Sequence, residues 1–225
     1  MLRRRIMAIN KPKTRVLLHF DGNVVDSSGN GIAFTAGPVV YTSGKFGQCS
    51  SITSEPGYFG SHATNVTGEF AKIHNLLKDY TIDFWLDFDS FNASGQNVGT
   101  YLGGTDSGSG ILAINIQRGS YGVFAITVTY QVGTLIINAS VSNAFGWKHV
   151  CVQKANGNIY LYLNGVLLGS NTFPNANTTF NPTTNYTLYA CYQNTTGHST
   201  KIDEFRIIEG VAFNLSGFTP PTQAY

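Results

Sequence analysis

The sequence predicts an all-β fold, a two-sheet antiparallel jelly-roll sandwich. Three observations lead there. Ten or more runs carry strand patterning, many with alternating faces, and no segment offers a helical crossover between them. Tight-turn dipeptides separate neighbouring runs. The composition is that of strands and turns: 25 glycines, 42% apolar residues and only 12% charged ones in 225 residues.

In chain order, "TRVLLHF" (14–20) opens as a strand, and the turn-rich "DGNVVDSSGNG" leads into "AFTAGPVVYTS". "DYTIDFWLDFDSF" (79–91) alternates cleanly: Tyr80, Ile82, Phe84, Leu86 and Phe88 fall on one face, and Thr81, Asp83, Trp85, Asp87 and Asp89 on the other. "FNASGQNVGTYLGGTDSGSG" (91–110) reads as a surface loop, followed by strands "ILAINIQ", "YGVFAITVTY" and "TLIINASV". "GWKHVCVQKANGNIYLYLNGVLLGS" (146–170) parses as three strands joined at Asn156-Gly157 and Asn164-Gly165, pairs that favour the positive φ angles of a type I′ hairpin. "NYTLYACYQ" and "TKIDEFRII" supply the last strands, and the first and last strands are expected to lie together. A single turn near "KIHNLLKDY" is the only plausible helix. One domain is the economical reading: a basic arm over 1–13, a jelly roll over 14–209 and an apolar tail over 210–225.

The net charge of +2 hides an asymmetry. Arg3, Arg4, Arg5, Lys11, Lys13 and Arg15 are six of the 14 basic residues, leaving 8 against 12 acidic ones and a body of net −4. No basic stripe interleaves with aromatics beyond the arm, so specific nucleic-acid binding is not expected. "MLRRRIMAINKPKT" lacks the apolar core and cleavage site of a signal peptide, and no run approaches the ~20 apolar residues of a membrane span. The expectation is a soluble protein with no membrane partner. Cys49, Cys151 and Cys191 form no CxxC pair and read as buried thiols rather than a disulfide framework or zinc site.

Four stretches resemble the laminin G-like, concanavalin A-like lectin jelly roll: "LLHFDGNVVDSSGNG", "YTIDFWLDF", "GWKHVCVQKANGNIYLYLNGVLLGS" and "KIDEFRI". Their order and spacing, more than any single one, carry the likeness. The ending "EGVAFNLSGFTPPTQAY" further resembles the close of such domains in bacteriophage virion proteins. The implied function is a structural protein of the phage particle surface, a capsid decoration or tail and fibre component with host-surface glycan adhesion as a compatible role. The alternative is a free carbohydrate-binding lectin with structural calcium. Under the virion reading the partners are other virion proteins, and the protein is a homo-oligomer or present in multiple copies.

Each candidate site has a chemical rationale. Asp21, Asn23 and Asp26 sit in a Gly-rich loop, and Asp203 lies on a strand expected to run nearby; they are candidate oxygen ligands for calcium, which related domains often carry at this corner. The competing reading is that they only shape turns, and no cofactor is required. Trp85 with Asp83 and Asp87 could form a sugar platform, as could Tyr160 and Tyr162, although such a tryptophan can equally pack under a covering loop. Arg3, Arg4 and Arg5 together with Phe213, Phe218 and Tyr225 are the candidate assembly contacts. The tail is expected to fold back and close the sandwich's open end, or else to dock on a neighbour. Catalysis is not expected: the acidic strand reads Asp83, Asp87, Asp89 without a glutamate, and the five histidines lack a nucleophile context.

Overall fold

The structure is a computed structural model that describes residues 12–53, 57–63, 78–91, 93–104, 112–130, 134–173, 186–193, 199–211 and 213–225. Arg3, Arg4, Arg5 and the rest of the arm to Lys11 lie outside the described residues, as does most of the expected turn near "KIHNLLKDY".

Fifteen strands are described: β1 (Lys13–Leu18), β2 (Thr35–Ala36), β3 (Val39–Ser43), β4 (Gln48–Ile52), β5 (Gly57–Ala63), β6 (Tyr80–Asp87), β7 (Asn97–Gly104), β8 (Leu112–Arg118), β9 (Val123–Tyr130), β10 (Thr134–Ser142), β11 (Trp147–Ala155), β12 (Asn158–Leu163), β13 (Val166–Thr172), β14 (Tyr186–Gln193) and β15 (Thr200–Glu209). All pairings are antiparallel. The first sheet runs β13-β12-β11-β6-β15-β4-β3, and the second β10-β9-β8-β7-β14-β5-β2. β1 also pairs with β15, through Lys13 to Leu18 against Glu209 to Phe205, so the first and last strands meet as the sequence implies.

Why these residues form these strands follows from the core. Ile82, Phe84 and Leu86 of β6, Val150 and Val152 of β11, Ile159, Leu161 and Leu163 of β12 and Phe205 and Ile207 of β15 all point between the sheets. They meet Ile114 and Ile116 of β8, Phe124, Ile126 and Val128 of β9 and Leu188 and Ala190 of β14. A period-two side-chain pattern on facing sheets leaves the opposite faces for other uses. Both predicted hairpins are present: φ is 52° and 75° at Asn156-Gly157, and 50° and 76° at Asn164-Gly165.

One expectation needs correction. Within the stretch read as a surface loop over 91–110, Asn97–Gly104 is strand β7, seated between β8 and β14. Its glycines flatten the alternation that would reveal a strand, and its partners lie far away in sequence. Strands β4 and β5 were also not expected, because "QCSSI" and "GYFGSHA" carry little apolar periodicity.

Candidate functional site

The outer face of the first sheet collects the predicted polar residues. Register places Tyr162, Cys151, Asp83 and Arg206 in one row across β12, β11, β6 and β15. A β-bulge between Asp203 and Arg206, with Glu204 at φ 51°, sets the last of these in line. Asp83 is fully buried and accepts hydrogen bonds from Arg206 Nε at 3.1 Å and from its terminal nitrogen at 2.8 Å. His149 Nε2 lies 3.1 Å from the same carboxylate. Burial alone would raise the Asp83 pKa, but the bonds from His149 and Arg206 and the guanidinium charge outweigh it and hold it below 3.8.

The C-terminal segment roofs this row. Phe213 N donates to Gln153 Oε1, Tyr162 Oη donates to the Leu215 carbonyl, and Phe218 N donates to the Gly165 carbonyl. Phe213 and Phe218 stack at 4.2 Å, and Phe218 covers Tyr162 and His149 at 5.3 and 5.8 Å. Tyr225 lies on the Arg206 guanidinium at 3.4 Å, its hydroxyl donates to Asp83 at 2.5 Å, and its amide donates to Glu204 at 3.1 Å. Burial first and the Asp83 charge second push the Tyr225 phenol upward, so it stays a donor. The tail therefore folds back on its own domain, but over a sheet face rather than across the sandwich's open end.

This roof changes the status of the predicted sugar residues. Trp85 and Asp83 do share a face with Asp87, Tyr160 and Tyr162, yet Asp83 and Tyr162 are sealed and Trp85 is 5% exposed, wedged against Phe46 and His149. Asp87 caps a short 3₁₀ turn through Asp89 N and lies 3.8 Å from Lys201. Tyr160 is half-buried and stacks on Tyr162. As drawn from sequence, that platform is not open to a ligand: the covering segment carries the aromatic surface a sugar would need.

The four candidate calcium ligands are not gathered into one shell. The Asp26 carboxylate is occupied by Leu17 N, Ser28 N, Ser28 Oγ and Ile32 N. Asn23 Oδ1 accepts from Val25 N, and Asp21 Oδ1 from Gln48 N at 2.7 Å. Asp203 accepts from Phe46 N at 2.9 Å. These are turn-shaping bonds, and no group of three His, Cys, Asp or Glu side chains among the described residues could hold a metal. Asp203 Oδ1 is buried without a partner. Burial, and secondarily the Glu204 charge, push the Asp203 pKa up to about 7.

The outer face of the second sheet is different, and sequence reasoning missed it. Register aligns Asn138, Thr127, Asn115, Gly99, Tyr192 and Tyr58 across six adjacent strands. Strand spacing makes that row about 24 Å long. Tyr189 joins it, its ring 5.8 Å from Tyr58 and 5.3 Å from Tyr192. All three tyrosines are half-buried, and no residue of the row is charged. A bulge between Tyr189 and Cys191 turns Tyr192 onto the face of Tyr189. In the register Gly60 stands opposite Tyr189 and Gly99 opposite Tyr192. Aromatic faces beside amides and hydroxyls suit a polyhydroxylated, uncharged ligand, since apolar ring surface and hydrogen-bonding groups are presented together.

Two antiparallel sheets with β1 closing on β15 and an aromatic, uncharged outer face define a lectin-type jelly roll. The chain belongs to the concanavalin A-like lectin/glucanases superfamily, whose family model matches residues 59–212. Comparison with curated protein sequences gives no match. Among solved structures, botulinum neurotoxin type C, in a study of its dependence on two ganglioside molecules for cell entry, superposes with a TM-score of 0.62 at 17% identity, over 89% of this chain and 49% of that one. The binding domain of Paraclostridial Mosquitocidal Protein 1 gives 0.63 at 16%, over 91% and 50%. The chain thus spans about half the length of those two. Domain 4 of AbnA, an extracellular arabinanase from Geobacillus stearothermophilus solved with arabinotriose, gives 0.58 at 19%, over 88% of this chain and 93% of that domain. At these identities the likeness is one of fold.

Proposed function

We propose that the protein is a non-catalytic glycan-binding module serving adhesion at the surface of a bacteriophage particle. The observation that carries the glycan reading is the uncharged row ending in Tyr192 and Tyr58 on the second sheet. Support comes from the arabinanase domain, which is of similar extent and was solved with arabinotriose. The non-catalytic reading is supported by the fate of the carboxylates on β6. Asp83 is locked by Arg206 and Asp87 caps a turn, which leaves no acid pair flanking an open cleft there.

The particle setting rests on the tail sequence "GVAFNLSGFTPPTQAY". Its anchors Phe213, Phe218 and Tyr225 are engaged within the domain. Attachment to neighbouring virion proteins then falls to the arm, with Arg3, Arg4 and Arg5 facing an acidic surface. Structural calcium would require an arrangement around Asp203 other than the four-residue shell.

Affinity electrophoresis in gels cast with neutral polysaccharides, arabinan included, tests the glycan reading. Retardation is expected for the wild type, with at least tenfold weaker binding, about 1.4 kcal/mol, for Tyr192→Ala. No retardation by any polysaccharide, with tight binding to particles lacking the protein, would replace adhesion by a purely structural role. Loss of that particle binding on deleting residues 1–11 would place attachment on the arm.

A further inference from the structure

The roof formed by the tail creates a second concavity. A groove of about 440 Å³ runs where Thr219, Pro220, Pro221 and Thr222 pass over Trp85, Trp147, Lys45 and Asn164. Its volume lies within the few hundred Å³ typical of small-ligand sites. Trp147 is half-buried and stands beside Asp87 in the β11–β6 register, so its indole forms a wall rather than a core contact. Pro220 and Pro221 form the opposite rim, stiff and without backbone N–H groups. Asn164 is exposed and uses its Oδ1 to accept from His149 N at 2.9 Å, which leaves its amide nitrogen to donate outward. The hydroxyls of Thr219 and Thr222 are exposed at the rim.

The groove also carries a charge. Lys45 is exposed, its ammonium 4.6 Å from the centre of the Trp85 ring, and no carboxylate among the described residues pairs with it. Of the acids on the same face, Asp83 is bonded by Arg206, Asp87 is 3.8 Å from Lys201, and Asp203, beside Trp85 in the β15–β6 register, accepts from Phe46 N. The Trp85 indole nitrogen is buried without an acceptor. A ligand suited to these features has a flat apolar face for an indole, hydroxyls for the amide and threonines, and a carboxylate for the ammonium.

We propose that this groove binds a carboxylated sugar residue of an acidic glycan, with Trp147 against the ring and Lys45 on the carboxylate. The site is distinct from the uncharged tyrosine row and is built from other residues, so it stands or falls separately. A surface with one neutral and one acidic sugar site would discriminate among polysaccharides by composition as well as by shape.

The chain has two tryptophans, Trp85 and Trp147, and both line the groove, so intrinsic emission reports it directly. Titrating the protein with galacturonate, galactose and acetate gives the test. A saturable emission change is expected for galacturonate, at least tenfold weaker for galactose and for acetate, and weakened by 0.5 M salt through screening. Lys45→Gln, an exposed substitution whose melting temperature should match the wild type, is expected to bring galacturonate down to the galactose level. Tyr192→Ala is expected to leave the titration unchanged. The proposal is overturned if acid and neutral sugars respond alike, if acetate matches galacturonate, if Lys45→Gln retains the preference, or if Tyr192→Ala removes it. Silence to galacturonate in both emission and calorimetry would overturn it as well.

Discussion

Asp83→Asn is the substitution that most directly tests how the tail is held. The carboxylate receives two bonds from Arg206, one from the Tyr225 hydroxyl and an approach from His149 Nε2, all within 3.1 Å. An asparagine keeps one acceptor oxygen and turns the other position into a donor that faces donors. Each lost bond to a charged partner is worth about 1.5–3 kcal/mol, and breaking a buried ion pair by removing one partner costs about 3–5 kcal/mol. The Arg206 side chain is 15% exposed, so little solvent is on hand to compensate. For a domain of this size, each kcal/mol moves the melting temperature by about 2–4 °C, so a fall of roughly 6–20 °C is expected at pH 7, read by circular dichroism. The pH dependence has a definite sign. The folded pKa of Asp83 lies below 3.8, so its contribution is present above that value and is lost as pH falls through the folded pKa. The gap between wild type and variant should therefore narrow at pH 3. A shift under 2 °C at pH 7, or a gap that stays constant on acidification, would refute the view that this ion pair holds the face together.

Three further substitutions separate the tail from the sheet beneath it and from its strained corner. Gly165→Ala places a Cβ against the Phe218 carbonyl at φ 76°, whereas Gly157→Ala occupies the same turn position at φ 75° with nothing within 4 Å. Both should lose about 1–2 kcal/mol for the left-handed conformation, but only Gly165→Ala should speed proteolysis across 211–225; equal cleavage would mean that the turn does not hold the tail. Asp203→Asn should melt higher than wild type at pH 8 and equally near pH 4. A carboxyl whose folded pKa is raised to about 7 loses stability as pH rises from about 4 to 7 and no further above that. A calcium-dependent rise in wild-type melting temperature that disappears in Asp203→Asn would instead put a cation on that oxygen.

What was legible in the sequence was whatever is decided locally. The Asn156-Gly157 and Asn164-Gly165 turns require positive φ at both positions, and that demand is written in two letters. The alternation of Tyr80 to Leu86 is likewise a property of one strand. The Asp83 site was half visible. The carboxylates and Trp85 stood out on the polar side of β6, but the row Tyr162–Cys151–Asp83–Arg206 is fixed by the registers of three strand pairs. Without them nothing pairs Asp83 with Arg206 rather than with a sugar. The tyrosine row was hidden by a bulge. Strict alternation in "YTLYACYQ" sets Tyr189 and Tyr192 on opposite faces, and the irregularity between Tyr189 and Cys191 brings them together. The signal available was the spacing itself: two tyrosines three apart in a strand with Cys191 inside the core.

The division between the two outer faces follows from the charge economy of the chain. With 12% charged residues, few ions are available to solvate two large sheet faces. On the first sheet the fold concentrates an ion pair, a histidine and a phenol under an aromatic roof, where low polarity strengthens each bond so long as every partner is present. That roof can be supplied by the chain itself because Gly165 lets the backbone of Phe218 approach the β12–β13 turn. The second sheet has no comparable buried ion pair on its outer face among the described residues, and its tyrosines, amides and threonines can remain half-exposed without unpaired charge. A ligand that approaches the second face displaces water from neutral groups alone, and desolvating these costs far less than desolvating ions. Recognition of a neutral glycan therefore belongs on the second sheet. The ammonium of Lys45, beside a roof already in place, is where an acidic one gains most.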